Sequence, residues 1–319
     1  MKKFTPLLFL FLILICSFTA SSEEMLMQNE DKFERENITI IEKNGELYVQ
    51  DTTVEELEGL FYAVGYEDYI FMPNMLYPAI FLKKLPKDFD KIEDESYRNR
   101  LFIQMLAPVA MKVAEDLFAE REQMLEMKKN FEENEILSDS QKKQLENWAE
   151  QYDIFTHLKD KERTVYIFDE LKKKLDIIPP SILIGVAAIE SNWGTSRPAK
   201  EANSLYKEKV WFGEEKGLAP QLEAGEKDDY EFKIFDSIYD AMRSYSIKMN
   251  SGVDYYYMRA YRAEYRRRKR IISGRTLAHS MLLSSQLKNF AGLLDYTITF
   301  YEMQNLDLAK LLRMKEEDE

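Results

Sequence analysis

The sequence is nearly free of cysteine. Cys16 is the single cysteine among 319 residues, and it lies inside the N-terminal stretch MKKFTPLLFLFLILICSFTASS. A chain that has lost this stretch would hold no thiol, which excludes a disulfide framework, cysteine-ligated metals and a cysteine nucleophile. Histidine is also scarce, since only His157 and His279 occur and they lie far apart without a ligand pattern. Metal sites and Ser-His-Asp triads therefore have little support, and no cofactor is expected.

The N-terminal stretch has the layout of a secretory signal peptide. Lys2 and Lys3 give it a charged start, residues 7–15 an apolar block, and residues 19–21 a small-residue cleavage zone. The apolar block is well short of the roughly 20 residues that a membrane-spanning helix needs. We therefore predict that residues 1–21 are a signal peptide. The mature protein is expected to be periplasmic or otherwise exported, without stable membrane insertion.

Basic residues are outnumbered in this chain. The 44 Lys and Arg residues face 57 Asp and Glu residues, which gives a formal net charge of −13. So acidic a protein is poorly suited to bind a polyanion, and nucleic acid is therefore not an expected partner. Hydrophobic residues make up 45% of the chain, which is enough for a packed core without disulfides.

Residues 22–150 are predicted to form an α-rich accessory region with a short hairpin. The hairpin is expected around Asn44–Gly45, because alternating apolar residues flank this turn pair. A helix should begin at Thr53, where Glu56 completes a capping box. The same pattern recurs in SDSQ at Ser138 and predicts a second helix start there.

Long helices are expected further along the chain. Residues 97–129 repeat apolar side chains at helical spacing, with a bend near Pro108. Core packing is the favoured interpretation of this stripe, and membrane binding is the alternative. Another helix covers residues 163–175. A third is predicted to start at Pro180 and to run to about Ser191, since proline is favoured in the first helical turn.

Residues 151–319 are predicted to form a second domain. Its segment 211–230 is rich in glycine and charge, and the following YEFKIFDS looks extended, so a small β-hairpin lobe is expected here. Everything after Ser237 is predicted to be helical, which makes the fold mainly α. The basic run Arg262–Arg270 is interpreted as a solvated helix end, with contact to an anionic wall polymer or lipid as the alternative.

One carboxylate stands out against an apolar background. In PPSILIGVAAIESNWGTSR, Glu190 shares a helix stripe with Ile182 and Val186, and the opposite face is no more polar. Partial burial favours the protonated form of a carboxyl group, which is the form that a general acid needs. The alternative is a structural carboxylate paired with Arg197 or with a backbone amide. The helix dipole argues weakly against it, because an anion near a helix C-terminus is disfavoured.

The region around this carboxylate resembles a known family. IPPSILIGVAAIESNWGTSRPAKEANSLY is similar to the core of the bacterial Bax-type glucosaminidases, relatives of the flagellar and autolysin glucosaminidases that cut peptidoglycan. The resemblance continues through FDSIYDAMRSYSIKMN and SGRTLAHSMLL and covers about residues 76–306. It implies a lysozyme-like α-helical catalytic domain over residues 151–319 that acts on peptidoglycan glycan strands. Glu190 would be the catalytic acid that cleaves the β-1,4 bond after N-acetylglucosamine.

The resemblance also implies a second carboxylate on the β-lobe. Glu226 occupies the better matching position, and Glu223, Asp228 and Asp229 lie close to it in sequence. Glycosidases commonly use two carboxylates about 5 to 9.5 Å apart. The alternatives are that these side chains are solvated loop charges, and that the acetamido group of the substrate assists instead.

Residues expected to contact sugar surround these carboxylates. Aromatic faces stack on the apolar C–H edges of sugar rings, and a few polar groups beside the acid orient a substrate. Each aromatic candidate could equally belong to the core, and for Trp193 core support is the favoured interpretation. The predicted substrate-binding residues are Ser191, Trp193, Tyr206, Trp211 and Tyr230.

Two departures from the family pattern leave other functions open. The family's Asn-Leu-Phe-Gly becomes SLYK, so that Lys207 replaces a glycine, and Leu283 stands where a Tyr-Ser-x-Arg-Gly motif places a tyrosine. One competitor is a lytic transglycosylase with a single catalytic glutamate on a similar scaffold. The other is a wall-binding protein that has kept the fold and lost turnover.

Overall fold

The computed structural model describes residues 33–35, 38–66, 73–211, 217–221 and 229–313. The predicted signal peptide lies outside these ranges. Most of the regular structure within them is α-helical, which confirms the mainly α fold. The helices are α1 (Val54–Ala63), α2 (Glu95–Asn134), α3 (Asp139–Gln151), α4 (Asp160–Lys174), α5 (Pro180–Ser191), α6 (Arg197–Ala202), α7 (Ile238–Ser251), α8 (Tyr256–Arg267), α9 (Gly274–Met281) and α10 (Lys288–Phe300).

The N-terminal part contains more strand than its sequence predicted. The expected hairpin is confirmed, and Asn44 and Gly45 both adopt positive φ, 55° and 73°, as a two-residue type I′ turn requires. The hairpin is the centre of a four-stranded sheet whose last member joins in parallel register. In spatial order the sheet contains β1 (Phe33–Arg35), β2 (Ile38–Lys43), β3 (Glu46–Gln50) and β5 (Ile80–Leu82).

Local capping signals set two helix starts as predicted. Before α1, the Thr53 hydroxyl accepts a hydrogen bond from the N–H of Glu56, and the Glu56 carboxylate accepts one from the N–H of Thr53. Ser138 and Gln141 make the same reciprocal pair before α3. Each box satisfies two backbone donors that a helix start leaves without intrahelical partners.

Helix α2 is the longest element, with 40 residues, and extends beyond its predicted range at both ends. Asp94 caps its start by accepting hydrogen bonds from the N–H groups of Ser96 and Tyr97. Its apolar face, which includes Pro108, is buried against α4, α5 and α7. Core packing therefore accounts for the apolar stripe. Among the helices described, none has both the length and the apolar character that crossing a bilayer requires.

Helix α5 is the most enclosed helix of the core. Its residues from Pro180 to Ala188 are all buried, and α2, α9 and α10 pack around it. Gly185 permits the close approach of α10, since a Cβ atom at this position would lie 2.7 Å from Cδ1 of Leu294. The predicted start at Pro180 and end at Ser191 are both confirmed.

The β-lobe expected in the second half is present and contains three strands. They are antiparallel, and the last of them in sequence lies in the middle. Helix α6 packs against the lobe and connects it to the end of α5. The strands are β6 (Lys209–Trp211), β7 (Gly217–Leu218) and β8 (Tyr230–Lys233).

A pairing that the sequence did not predict joins the two ends of the described chain. Strand β9 (Lys310–Leu312) runs parallel to β4 (Leu76–Pro78), with Leu76 opposite Lys310. Arg313 then binds Glu46 of the N-terminal sheet, with 2.9 Å between Nε and Oε1. The stretch after Ser237, predicted to be wholly helical, thus ends in a strand that ties it to the N-terminal region.

The basic run Arg262–Arg270 is only partly solvated. Arg267 and Arg268 form exposed ion pairs with Glu264, as a solvated helix end would. The side chain of Arg262 is 1% exposed and lies beside the carboxylate of Asp176. The interpretation as a solvated helix end is therefore wrong for the beginning of the run.

Candidate active site

A rigid turn ends α5 and fixes the position of Glu190. Asn192, Trp193 and Gly194 have φ values of 50°, 54° and 78°, so three successive residues adopt the left-handed region. Inside the turn, the Ser191 hydroxyl donates to the carbonyl of Ala187 at 2.5 Å and accepts from the N–H of Gly194 at 2.7 Å. Both hydrogen-bonding directions of this hydroxyl are therefore used within the chain.

Only glycine fits at position 194 of this turn. A Cβ atom there would lie 2.9 Å from Cδ1 of Leu85 and 2.9 Å from Cε2 of Phe102, and the positive φ would strain any larger residue as well. The N-terminal part of the chain thus contacts the turn directly. The turn at the end of α5 therefore packs against residues of the N-terminal part, Leu85 and Phe102, as well as against its own half of the protein.

Glu190 is half-buried at this helix end, with no hydrogen bond or ion pair to another residue in the described ranges. Arg197, the expected ion-pair partner if Glu190 were structural, binds other groups. The guanidinium of Arg197 binds the carboxylate of Glu201, with Nε 3.1 Å from Oε2, and donates to the carbonyl of Ala219 at 2.8 Å. The carboxyl group of Glu190 is therefore available for a ligand.

Three tyrosines, Tyr206, Tyr245 and Tyr255, form a buried tyrosine layer near Glu190. The rings of Tyr206 and Tyr245 are stacked, with centroids 4.3 Å apart and planes 4° from parallel. The hydroxyls of Tyr245 and Tyr255 are hydrogen-bonded at 2.7 Å. Burial is the main cause that raises the pKa of Tyr245 and Tyr255, and the negative charge of Glu190 adds to the rise in both. Both phenols therefore stay protonated beside Glu190.

A second carboxylate, Glu208, acts electrostatically on Tyr206 and Tyr255 of this layer and was missed in the sequence analysis. Its Oε2 accepts from the hydroxyl of Ser244 at 3.1 Å, and its Oε1 is buried with no partner in the described part of the chain. Burial raises the pKa of Glu208, against the opposing charges of Lys248 and Lys233 and the Ser244 bond. In the sequence, the one feature that could have indicated that Glu208 lies near the site is its position two residues after Tyr206.

Two predicted sugar-contacting residues are brought together on the lobe. Trp211 and Tyr230 are direct cross-strand partners of β6 and β8, so their side chains lie side by side on one face. The Trp211 side chain is 57% exposed. The ammonium of Lys209 lies 3.6 Å from the centre of the Tyr230 ring. This face offers aromatic surface next to a cation.

Three other predicted substrate contacts are engaged within the protein. Ser191 and Tyr206 are buried, which argues against direct contact with sugar, and Trp193 is partly buried. Ser191 is fully buried and closes the turn described above, and Tyr206 is 3% exposed, with its hydroxyl donating to the carbonyl of Leu183 at 3.1 Å. Trp193 packs edge-to-face on Tyr301, with ring centroids 4.8 Å apart, and on Phe102 at 6.0 Å. We assign these three residues to the support of the site, because burial and internal contacts occupy them.

The second catalytic carboxylate was predicted from the sequence in the segment 223–229. Glu226, Glu223 and Asp228 lie outside the described residues, and Asp229 is exposed at the start of the strand region. In the ranges that are described, no group of three or more His, Cys, Asp or Glu side chains is arranged to hold a metal ion.

The two positions that depart from the family pattern, Lys207 and Leu283, both lie in the described part of the chain. Lys207 adopts the left-handed conformation with φ 47°, so it occupies a backbone position that suits glycine. The Leu283 side chain is 54% exposed. Together with Asp254, Tyr257 and neighbouring residues it lines a surface hollow of about 350 Å³ next to the segment that carries Tyr255.

Comparison with known proteins finds a family match across the residues that hold this site. Residues 165–295 match the model of the glucosaminidase family, described as mannosyl-glycoprotein endo-beta-N-acetylglucosaminidase. Protein bax of Escherichia coli (strain K12) is 25% identical over 114 residues, which are 36% of this chain and 39% of that protein. The chain thus matches about two fifths of this relative's length. No solved structure matches. The resemblance to Bax-type glucosaminidases is confirmed, and the matched range includes Glu190, the tyrosine layer and the lobe.

Proposed function

We propose, from the match of residues 165–295 to the glucosaminidase family model, that the protein is an exported peptidoglycan hydrolase. It cleaves the β-1,4 bond after N-acetylglucosamine in glycan strands, with Glu190 as the general acid. The observation that carries the proposal is the state of Glu190. This carboxylate is half-buried at a rigid helix end, and no described side chain pairs with it.

The proposed reaction is a proton-assisted hydrolysis. Glu190 gives its proton to the glycosidic oxygen as the bond between that oxygen and C1 of N-acetylglucosamine breaks. Water supplies the new oxygen on C1, and a proton from this water returns to the site.

The group that stabilises C1 or activates water is left open between two candidates. Glu226 remains the predicted second carboxylate on the lobe. The acetamido group of the substrate is the other candidate, and it would need no second protein carboxylate. Both are compatible with Glu190 as the acid.

The lobe is proposed to bind the glycan strand. The exposed Trp211 and its cross-strand partner Tyr230 provide aromatic surface on which sugar rings stack. This surface belongs to the same matched domain as Glu190. Export to the periplasm or beyond, based on residues 1–21, would bring the protein to its substrate.

Digestion of purified peptidoglycan by the full chain, followed by reduction of new ends and mass spectrometry, tests this proposal. We expect products that end in reducing N-acetylglucosamine. Anhydro-muramyl ends would replace the proposal with a lytic transglycosylase. An absence of products, with binding to the wall retained in a pull-down, would replace it with a wall-binding protein, the alternative motivated by the departures at Lys207 and Leu283.

A further inference from the structure

The strand register places a lysine among aromatic side chains on one face of the lobe. Trp211 lies opposite Tyr230 in the β6–β8 pair, and Lys209 lies opposite Phe232. Leu218 of β7 lies opposite Phe232 from the other side. Side chains two residues apart on a strand share a face, and so do direct cross-strand partners. The lobe face formed by these five residues therefore combines three aromatic rings, a leucine and an ammonium.

The lobe face is turned away from the body of the protein. The opposite face carries the cross-strand partners Val210 and Glu231, and Val210 is 7% exposed. Burial of Val210 shows which side of the lobe packs inward. On the lobe face itself, the side chain of Trp211 is 57% exposed and Lys209 is also exposed. A ligand can therefore reach the indole and the ammonium together.

The ammonium of Lys209 has a defined position on this face. Its Nζ lies 3.6 Å from the ring centre of Tyr230, its diagonal neighbour across the two strands. A cation in this position is attracted to the negative face of the ring. Tyr230 in turn packs edge-to-face on Phe232, with centroids 5.6 Å apart. No carboxylate within the described ranges pairs with Lys209, so its charge is uncompensated beside the exposed ring of Trp211.

Hydrogen bonds fix the lobe relative to the turn that carries Glu190. Helix α6 follows this turn, and the guanidinium of Arg197 at its start donates to the carbonyl of Ala219, just after β7, at 2.8 Å. Asn203, just after the end of α6, donates through Nδ2 to the carbonyl of Phe235, two residues after β8, at 2.9 Å. The lobe is therefore anchored to α6 from both of its outer connections, and α6 links it to the proposed general acid.

An exposed indole beside a fixed ammonium matches a sugar that carries a carboxylate. The apolar side of a sugar ring stacks on an aromatic face, and an ammonium donates charge-assisted hydrogen bonds to a carboxylate. In peptidoglycan the muramyl units bear such carboxylates, on the stem peptide or, once the peptide is removed, on the lactyl group. The neutral β-1,4 polymer of N-acetylglucosamine has none. In a chain with a net charge of −13, a local cation also offsets repulsion of an anionic strand.

We propose that the lobe face is a subsite for a muramyl unit, in which Trp211 stacks on the sugar ring and Lys209 binds its carboxylate. The inference rests on the proposed function and deepens it, because it makes the enzyme selective for anionic glycan over the neutral polymer. Lys209 is then a specificity-determining residue. It takes no part in bond cleavage.

Isothermal titration calorimetry of Glu190→Gln, with and without Lys209→Gln, tests the subsite without turnover. The ligands are soluble glycan fragments with stem peptides, the same fragments after amidase removal of the peptides, and N-acetylglucosamine oligomers of equal length. Lys209→Gln is expected to weaken binding of a carboxylate-bearing fragment about 2- to 5-fold, as loss of an exposed ion pair does, and to leave the neutral oligomer unchanged. The fragment that loses affinity identifies the carboxylate, on the stem peptide or on the lactyl group. At about 1 M salt, where the Debye length is about 3 Å, the difference should vanish.

Lys172→Gln is the matched control, because Lys172 is an exposed lysine on α4 within the same matched range. It removes the same charge away from the lobe and is expected to leave all three affinities unchanged. Equal weakening by both substitutions, equal weakening for the neutral oligomer, or no weakening by Lys209→Gln would each overturn the subsite and leave the hydrolase proposal standing. Selective binding by a wild-type protein that releases no reducing ends would overturn the hydrolase proposal and leave the subsite standing.

Discussion

Arg266 and Asp176 form a two-pronged ion pair between α8 and the segment that leads into α5. Nη2 of Arg266 lies 2.6 Å from Oδ1 of Asp176, and Nε lies 3.1 Å from Oδ2. Arg262 and Arg121 approach the same carboxylate at 3.6 Å. Asp176 is 2% exposed, so one buried carboxylate holds three guanidiniums from two helices. This cluster fixes α8 and α2 against the start of the proposed catalytic helix.

Asp176→Asn is expected to destabilise the protein by about 3–5 kcal/mol, because it leaves buried guanidiniums without their counter-charge. Urea unfolding followed by circular dichroism measures the loss. Asp139→Asn is the control, since Asp139 is fully exposed in its pair with Lys142, and a change below about 0.5 kcal/mol is expected there. An Asp176→Asn protein as stable as the wild type would contradict the role of the cluster.

The pH dependence of this cluster has a definite sign. Burial opposes the ionisation of Asp176, but Arg262, Arg266 and Arg121 outweigh it and lower the pKa of Asp176. A carboxylate with a lowered pKa stabilises the folded state above its unfolded pKa of about 3.9, and this stability is lost as the pH falls through the folded value. The difference in unfolding free energy between wild type and Asp176→Asn should therefore decrease only in strong acid.

The stability that Asp307 contributes has the opposite pH dependence to that of Asp176. Its carboxylate accepts hydrogen bonds from the N–H groups of Ser181 at 3.0 Å and Gly274 at 2.7 Å, where α5 and α9 begin. Desolvation raises the pKa of Asp307 to about 6, against the opposing effect of these bonds. Its stabilising contribution is therefore full below pH 4 and is lost as the pH rises through 6.

Asp307→Asn removes this titration and tests its sign. The unfolding free energy of the wild type relative to the variant should fall between pH 4 and pH 7, by at most about 3 kcal/mol for a shift of roughly two pKa units. Chemical unfolding of both proteins at several pH values measures the difference. A difference that grows with pH would show that Asp307 ionises more easily in the folded state than in the unfolded one.

Much of the local structure could be predicted from the sequence, because its causes are local. The capping pairs Thr53–Glu56 and Ser138–Gln141 act within four residues, and the Asn44–Gly45 turn needs only its own backbone. The position of Glu190 at the end of α5 followed from the apolar run before it. The resemblance then supplied its proposed role.

The remaining features depend on residues far apart in sequence. Asp176 meets Arg266 across 90 positions, and β4 meets β9 across more than 230 positions. No periodicity in Arg262–Arg270 could show which guanidinium is buried. Glu208 was missed for the same reason, because its environment is made by α7 and β8. Ser191 and Tyr206 were placed with the substrate because the sequence did not show that their hydroxyls have backbone partners.

Lys207→Gly is expected to stabilise the protein by up to about 1 kcal/mol, because a lysine with φ 47° bears a steric cost that glycine avoids. Thermal unfolding measures the change. Lys209→Gly serves as the control in strand β6, where glycine should cost about 0.5–1 kcal/mol instead. Destabilisation by Lys207→Gly would mean that the lysine side chain contributes more than its backbone conformation costs.

Trp211→Ala is expected to raise KM for glycan about 3- to 10-fold and to leave kcat within twofold, since an exposed ring that stacks on sugar contributes binding rather than chemistry. Its unfolding free energy should change by less than about 0.5 kcal/mol. Tyr62→Ala is the control, because Tyr62 is 66% exposed on α1, outside the matched domain. Equal KM values for Trp211→Ala and wild type would show that this face of the lobe does not bind the glycan.

The most direct test of Glu190 as the general acid is the release of reducing ends from purified peptidoglycan by wild type, Glu190→Gln and Glu201→Gln. Glu201 is an exposed carboxylate on the next helix, paired with Arg197, and its loss should leave the rate within twofold. We predict that Glu190→Gln, folded with an unchanged Tm, loses at least about 100-fold in kcat, the contribution of a general acid. A Glu190→Gln protein as active as the wild type would contradict it.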